Sequence, residues 1–163
     1  SMFKRVKCPA EFIASTLKLT SNIGPKDDRL SGLHGLSTVM GQTLLDPPTV
    51  EGWHTGKEWI DGGSLTERIN YAVGLISDMN NSGSKNLVDM IINSEVELSS
   101  EQLVSKILEC SGELNVSEQT FKQLLDIASI GPVVGNNQDN DEIRKKIIRL
   151  YTLLVSSPEF QLA

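Results

Sequence analysis

The side chains best suited to chemistry are concentrated in residues 41–63, which read GQTLLDPPTVEGWHTGKEWIDGG. His54 and Glu58 are four residues apart, so a helix would place an imidazole and a carboxylate on one face, as acid–base catalysis or metal binding requires. Gly56 lies between them and disfavours a helix, and the second histidine, His34, belongs to another segment. Because a metal site needs more ligands than this, we predict no catalytic residue, metal ion or cofactor here.

The two tryptophans of the chain make the same stretch a candidate for binding. Exposed indole rings stack on sugars or hold the side chains of a protein partner, whereas buried rings fill the space between helices. We favour buried rings. If the stretch is instead a binding site, its candidate residues are Trp53, His54, Glu58, Trp59 and Asp61.

Four further residues are predicted to organise this loop. Pro47 and Pro48 favour an extended backbone, and they lack the Pro-x-x-Pro spacing of SH3 ligands. Arg68 carries five hydrogen-bond donors in a fixed fork. We expect Arg68 and Asn70 to hold the loop in place rather than to bind a substrate.

Composition and the remaining motifs exclude several classes of protein. The 163 residues include 15 Lys+Arg against 21 Asp+Glu, a net charge of −6 that disfavours nucleic-acid binding. No apolar run approaches the roughly 20 residues that a membrane span needs. Cys8 and Cys110 are far apart and match neither a disulfide framework nor a zinc motif. The acidic run NNQDNDE lacks the glycine and the final glutamate of an EF-hand loop.

The elements that must position these residues are all predicted to be helices. Apolar residues recur at helical spacing along the chain, and no convincing alternating strand pattern occurs. The sequence therefore predicts an all-α fold, a compact bundle of about seven helices in one domain over residues 1–163. One long irregular loop containing Pro, Gly and Trp interrupts it. The second helix is expected over residues 30–44, the third over 65–80 and the last over 141–156.

Capping residues predict where several of these helices begin. Ser64 with Glu67 has the spacing of a capping box before a helix that starts at Leu65. Ser99 with Gln102 has the same spacing, and Ser117 is the expected cap of the next helix.

Three stretches carry a family pattern: FKRVKCPAEFIASTLK, MGQTLLDPPTVEGWHTGKEWIDGGSLTERINYAV and the tail LLVSSPEFQLA. The middle one is the most specific, through the order and spacing of Gly41-Gln42, Leu44, Pro47-Pro48, Gly52-Trp53, Trp59, Arg68 and Asn70. Together they resemble the C-terminal part of the DUF1800 family of bacterial proteins, whose function is unknown. The family-like segment covers residues 3–81, and residues 82–163 are a helical remainder apart from the tail.

The resemblance implies context rather than chemistry. It implies that the chain is a fragment of a longer protein, that such proteins are commonly exported or belong to the cell envelope, and that they are often encoded beside DUF1501 proteins. The expected partners are therefore the upstream region of the same parent protein and a DUF1501-type protein. His54 stands where the family more often has proline, which argues against a fixed role for that imidazole.

Two functional hypotheses follow from the sequence. The first is a non-catalytic helical C-terminal domain that serves packing or protein interaction. The alternative is a carbohydrate-binding module, or part of a cell-envelope hydrolase, in which Trp53 and Trp59 form a sugar platform. In that case Glu58 and Asp61 are the acid–base candidates.

Overall fold

The computed structural model describes residues 5–20, 32–53, 56–136 and 138–162. Its seven α-helices are α1 (Pro9–Leu19), α2 (Leu33–Val39), α3 (Gly62–Ser77), α4 (Ser82–Ile92), α5 (Ser100–Cys110), α6 (Glu118–Ser129) and α7 (Asp141–Ser156). Two short 3-10 helices, Gly56–Ile60 and Pro158–Gln161, precede α3 and follow α7. These described ranges contain isolated β-bridges but no β-strand, so the all-α prediction is confirmed.

Helix α7 lies at the centre of the bundle and packs against α3, α4, α5 and α6. Its apolar residues recur every three or four positions, and this face is buried along its whole length. The buried side chains of α7 are those of Ile143, Lys146, Ile147, Leu150, Tyr151, Leu154 and Val155. Burial of such a stripe supplies most of the free energy that holds a short helix in place.

Two of the predicted helix starts are confirmed. The Ser99 hydroxyl accepts a hydrogen bond from the Gln102 amide, and the Gln102 side chain accepts one from the Ser99 amide, which completes a capping box. Ser117 accepts a hydrogen bond from the Thr120 amide at the start of α6. These caps satisfy backbone N–H groups that a helix leaves unpaired at its first turn.

The predicted start of α3 was wrong by one turn. Asp61, not Ser64, is the N-cap, and its carboxylate accepts a 2.9 Å hydrogen bond from the Ser64 amide. The Ser64 hydroxyl instead donates a 2.9 Å hydrogen bond to the carbonyl oxygen of Trp59. The 3-10 helix Gly56–Ile60 thus runs almost directly into α3, and Ser64 joins the two elements.

Helix α2 is shorter than the expected 30–44. It ends at Val39, and Gly41 follows with a φ of +94°, a backbone conformation that favours glycine. Backbone turns then continue the chain, including a 2.7 Å hydrogen bond from the Gln42 amide to the Ser37 carbonyl. Leu44, which was expected to lie on the helix, therefore lies in the irregular segment that follows it.

Candidate functional site

Arg68 is the largest fully buried side chain among the described residues, with 0% of its surface exposed. Its Nη2 donates a 2.7 Å hydrogen bond to the carbonyl oxygen of Lys7, and its Nη1 lies 3.4 Å from Oε1 of Gln161. The guanidinium carbon lies 5.2 Å from the centre of the Phe12 ring, a cation–π contact. The guanidinium of Arg68 on α3 thus lies where the two ends of the described chain meet.

No described carboxylate pairs with this guanidinium, whose Nε also lacks a described hydrogen-bond partner. Burial is the main cause of the lowered pKa of Arg68. These contacts differ from the role expected from the sequence. Arg68 contacts Lys7, which precedes α1, and Gln161, which follows α7, rather than the 41–63 stretch. Asn70, its expected partner in that role, is an exposed residue on α3.

The two ends of the described chain make further contacts around Arg68. The amide of Lys7 donates a 2.9 Å hydrogen bond to the Gln161 carbonyl, and the Lys7 ammonium donates one of 2.9 Å to the Phe160 carbonyl. The same ammonium lies 4.8 Å from the centre of the Phe160 ring. Burial lowers the pKa of Lys7. The Phe12 and Phe160 rings meet edge to face, with centroids 5.8 Å apart.

The two tryptophans differ in exposure. Trp59 is 6% exposed and belongs to the 3-10 helix before α3. Trp53 is half-buried, and its indole Nε1 donates a 3.0 Å hydrogen bond to the Thr43 carbonyl. That bond links two parts of the irregular segment that are ten residues apart.

Both indole rings border an open groove of about 500 Å³, to which Arg5 and Gln42 also contribute. The guanidinium of Arg5 makes a two-pronged ion pair with the carboxylate of Glu11. Gln42 uses its side-chain oxygen to accept a 3.0 Å hydrogen bond from the Ala10 amide. The polar groups at this groove are therefore already engaged within the protein. We call it the tryptophan groove.

The candidate acid–base residues do not converge on this groove. Asp61 is an exposed helix cap, and the hydrogen bonds from Ser64 lower its pKa. Glu58 is exposed on the 3-10 helix. His54 lies outside the described residues. No cluster of three or more His, Cys, Asp or Glu side chains suited to a metal ion occurs in the described ranges.

Residues 39–50 carry four exposed apolar side chains, of which only Leu44 was singled out from the sequence. Leu45 is 96% exposed, Val50 is fully exposed, and Val39 and Leu44 are exposed as well. Pro47 and Pro48 lie on the same exposed stretch. Leu45 also has a φ of +65°, which is unusual for a residue other than glycine. The signal that the sequence offered for this exposure was that Leu45 and Val50 lie beyond the apolar residues at helical spacing in 30–44. We call this stretch the 39–50 segment.

None of the helices within the described ranges is long and apolar enough to span a bilayer. No curated protein and no solved structure matches the chain. A family model described as "Protein of unknown function (DUF1800)" matches residues 1–162. That match covers essentially the whole chain and includes the buried Arg68, the tail residue Gln161 that it reaches, and both tryptophans. The chain therefore belongs to the DUF1800 family.

Proposed function

We propose that this chain is a non-catalytic helical domain that binds another polypeptide through the 39–50 segment. The partner that we propose is the upstream region of a longer parent protein. The observation that carries the proposal is the exposure of four apolar side chains, Val39, Leu44, Leu45 and Val50, within twelve consecutive residues. Single exposed apolar residues are normal on a protein surface, but a cluster of this kind is typical of an interaction site.

The backbone of the segment supports the same proposal. Turn hydrogen bonds run from the Gly41 amide to Thr38 and from the Asp46 amide to Thr43, and Thr43 also accepts the bond from Trp53. These bonds limit the conformations that the exposed side chains can adopt. A preorganised surface loses less conformational entropy on binding than a mobile one.

A titration of this chain with the separately produced upstream region tests the proposal. We expect saturable binding in isothermal titration calorimetry, with the negative heat-capacity change that burial of apolar surface produces. The double variant Leu45→Ser/Val50→Ser should bind at least about tenfold more weakly, since each loss of an apolar contact costs about 1 kcal/mol or more.

Val96→Ser is the control, because Val96 is also an exposed apolar residue but lies between α4 and α5, outside the 39–50 segment. It should bind like the wild type. Equal affinity of the double variant and the wild type, or no binding by the wild type, would reject the proposal.

The second candidate function is carbohydrate binding at the tryptophan groove. One observation favours it, namely that both indole rings border the same open groove. The burial of Trp59 and the engagement of Arg5 and Gln42 weigh against it. A glycan array with the wild type and with Trp53→Ala distinguishes carbohydrate binding at the groove from polypeptide binding by the 39–50 segment. A specific glycan that binds the wild type and not the variant would favour the groove over the 39–50 segment.

A further inference from the structure

A second surface, distant in sequence from the 39–50 segment, combines apolar and basic side chains. An open groove of about 360 Å³ lies between the end of α6 with the turn after it and the first half of α7. Its apolar side is formed by Ile127, Ile130 and Pro132. Ile130 is 70% exposed, and Val133 beside it is exposed too, so apolar surface extends beyond the groove itself.

The α7 side of this groove is basic. Lys145, Lys146 and Arg149 line it together with a single carboxylate, that of Glu142. Three cations against one anion is the opposite of the chain as a whole, which has 15 Lys+Arg against 21 Asp+Glu. The groove is therefore a local basic site on an acidic protein, and such a site attracts negatively charged partners.

These cations are available to a partner to different extents. Lys145 and Arg149 are exposed and make no ion pair or hydrogen bond with any described residue. Lys146 is buried, and its ammonium donates a 2.9 Å hydrogen bond to the Pro132 carbonyl. That bond fixes the turn after α6 against α7 and so sets the width of the groove.

From this arrangement we propose that the groove binds an acidic peptide segment carrying an apolar residue. Lys145 and Arg149 are one helical turn apart, about 6 Å along the axis, which matches alternate residues of an extended chain at about 6.6 Å. Two acidic side chains at alternate positions would pair with them, and the apolar residue would cover Ile130. A nucleic acid is disfavoured, because its phosphate backbone would extend beyond these few cations onto a chain whose net charge is −6, whereas a short peptide contacts only the groove.

The proposal is tested by fluorescence anisotropy with a labelled ten-residue peptide that has glutamates at alternate positions and one leucine. We expect saturable binding to the 163-residue chain at about 50 mM salt that weakens at about 500 mM, because screening reduces exposed ion pairs. A peptide with glutamine in place of glutamate, and one with serine in place of leucine, should each bind at least about tenfold more weakly.

Protein variants locate the binding. Arg149→Glu and Ile130→Ser should each reduce affinity at least about tenfold. Lys122→Glu, an equal charge reversal at an exposed position of α6 outside the groove lining, should leave affinity unchanged. Circular dichroism checks that all three variants keep their helices.

The proposal is overturned if the wild type does not bind the peptide, or if Arg149→Glu binds it as well as the wild type does. It is equally overturned if Lys122→Glu loses as much affinity as Arg149→Glu, which indicates only a general charge effect. Binding of anionic lipid vesicles without binding of the peptide would assign the groove to a membrane surface instead.

Discussion

The Nη2 of Arg68 donates a 2.7 Å hydrogen bond to the carbonyl oxygen of Lys7, which precedes it by 61 residues. The same guanidinium reaches Gln161, near the other end of the described chain. One buried side chain on α3 thus joins the segment before α1 to the 3-10 helix after α7. A buried cation without a described carboxylate partner costs desolvation energy, so its hydrogen bonds and ring contact must offset that cost.

Replacement of Arg68 should separate the contribution of its volume from that of its charge. Arg68→Ala removes the packing and leaves the Lys7 carbonyl without its donor, so we expect a loss of about 3 kcal/mol in the free energy of unfolding. Arg68→Met keeps most of the volume and removes the buried charge, and should cost clearly less. Urea unfolding measures both. A loss from Arg68→Met as large as that from Arg68→Ala would contradict this interpretation.

The two tryptophans should respond differently to a soluble quencher. In Trp53→Phe the remaining indole is the buried Trp59, so its emission should be blue-shifted and resistant to acrylamide. In Trp59→Phe the remaining indole is the half-buried Trp53, so acrylamide should quench its emission more strongly. Trp59→Ala should also cost about 3–5 kcal/mol of stability. Equal quenching of the two single-tryptophan variants would be inconsistent with the structure.

Glu159 should make stability fall in acid. Burial alone would raise the pKa of Glu159, but hydrogen bonds from Ser117 and Thr120 outweigh it and hold the pKa at about 2. A lowered pKa means that the charged form stabilises the fold above pH 4.5, and that this contribution is lost as the pH falls towards 2. Glu159→Gln should be less stable at pH 7 by about 1–2 kcal/mol.

The variant should also lose less stability than the wild type between pH 4.5 and pH 2. Glu11 titrates over the same range, since its hydrogen bond with Arg5 lowers its pKa to about 2. The contribution of Glu11 is common to both proteins, so it cancels when the free energies of unfolding of wild type and Glu159→Gln are subtracted at each pH. Glu95→Gln, at an exposed position before α5, serves as the control. Parallel pH profiles for wild type and Glu159→Gln would refute the assigned role of the carboxylate.

Two glycine substitutions should have effects of opposite sign. Gly135 has a φ of +113°, and a Cβ there would lie 2.2 Å from the carbonyl oxygen of Val96. Gly135→Ala should therefore cost at least about 2 kcal/mol, from the backbone strain and the forced displacement of that backbone together. Gly74 is exposed within α3 with open space around it. Gly74→Ala should stabilise by about 0.5–1 kcal/mol. Thermal unfolding of the two variants checks both signs.

Local signals in the sequence predicted most of the fold. The capping residues Ser99 and Ser117 were identified correctly because their partners are only three residues away. The Ser64–Glu67 spacing predicted the wrong N-cap for α3, because the preceding 3-10 helix places Asp61 at that position. The position of the cap therefore depends on how the chain enters α3. Helix α2 ends at Val39, shortly before Gly41 with its positive φ, and apolar periodicity alone does not locate that end.

The contacts of the candidate site were harder to predict. Arg68 was singled out, but its acceptor on Lys7 is a backbone carbonyl, which every residue possesses and which no sequence pattern marks. The exposure of Leu45 and Val50 depends on where the turns after α2 direct the chain. Neither property follows from spacing, because both depend on residues brought together only by the folded bundle.

The 39–50 segment is proposed to be buried against the upstream region of a longer parent protein. Hydrogen–deuterium exchange of the backbone amides in residues 39–50, compared between this chain alone and the full-length parent, tests it most directly. We expect slower exchange of these amides in the full-length protein, and a return to the faster rates in full-length Leu45→Ser/Val50→Ser. Identical exchange rates of the segment in the isolated chain and the full-length protein would contradict it.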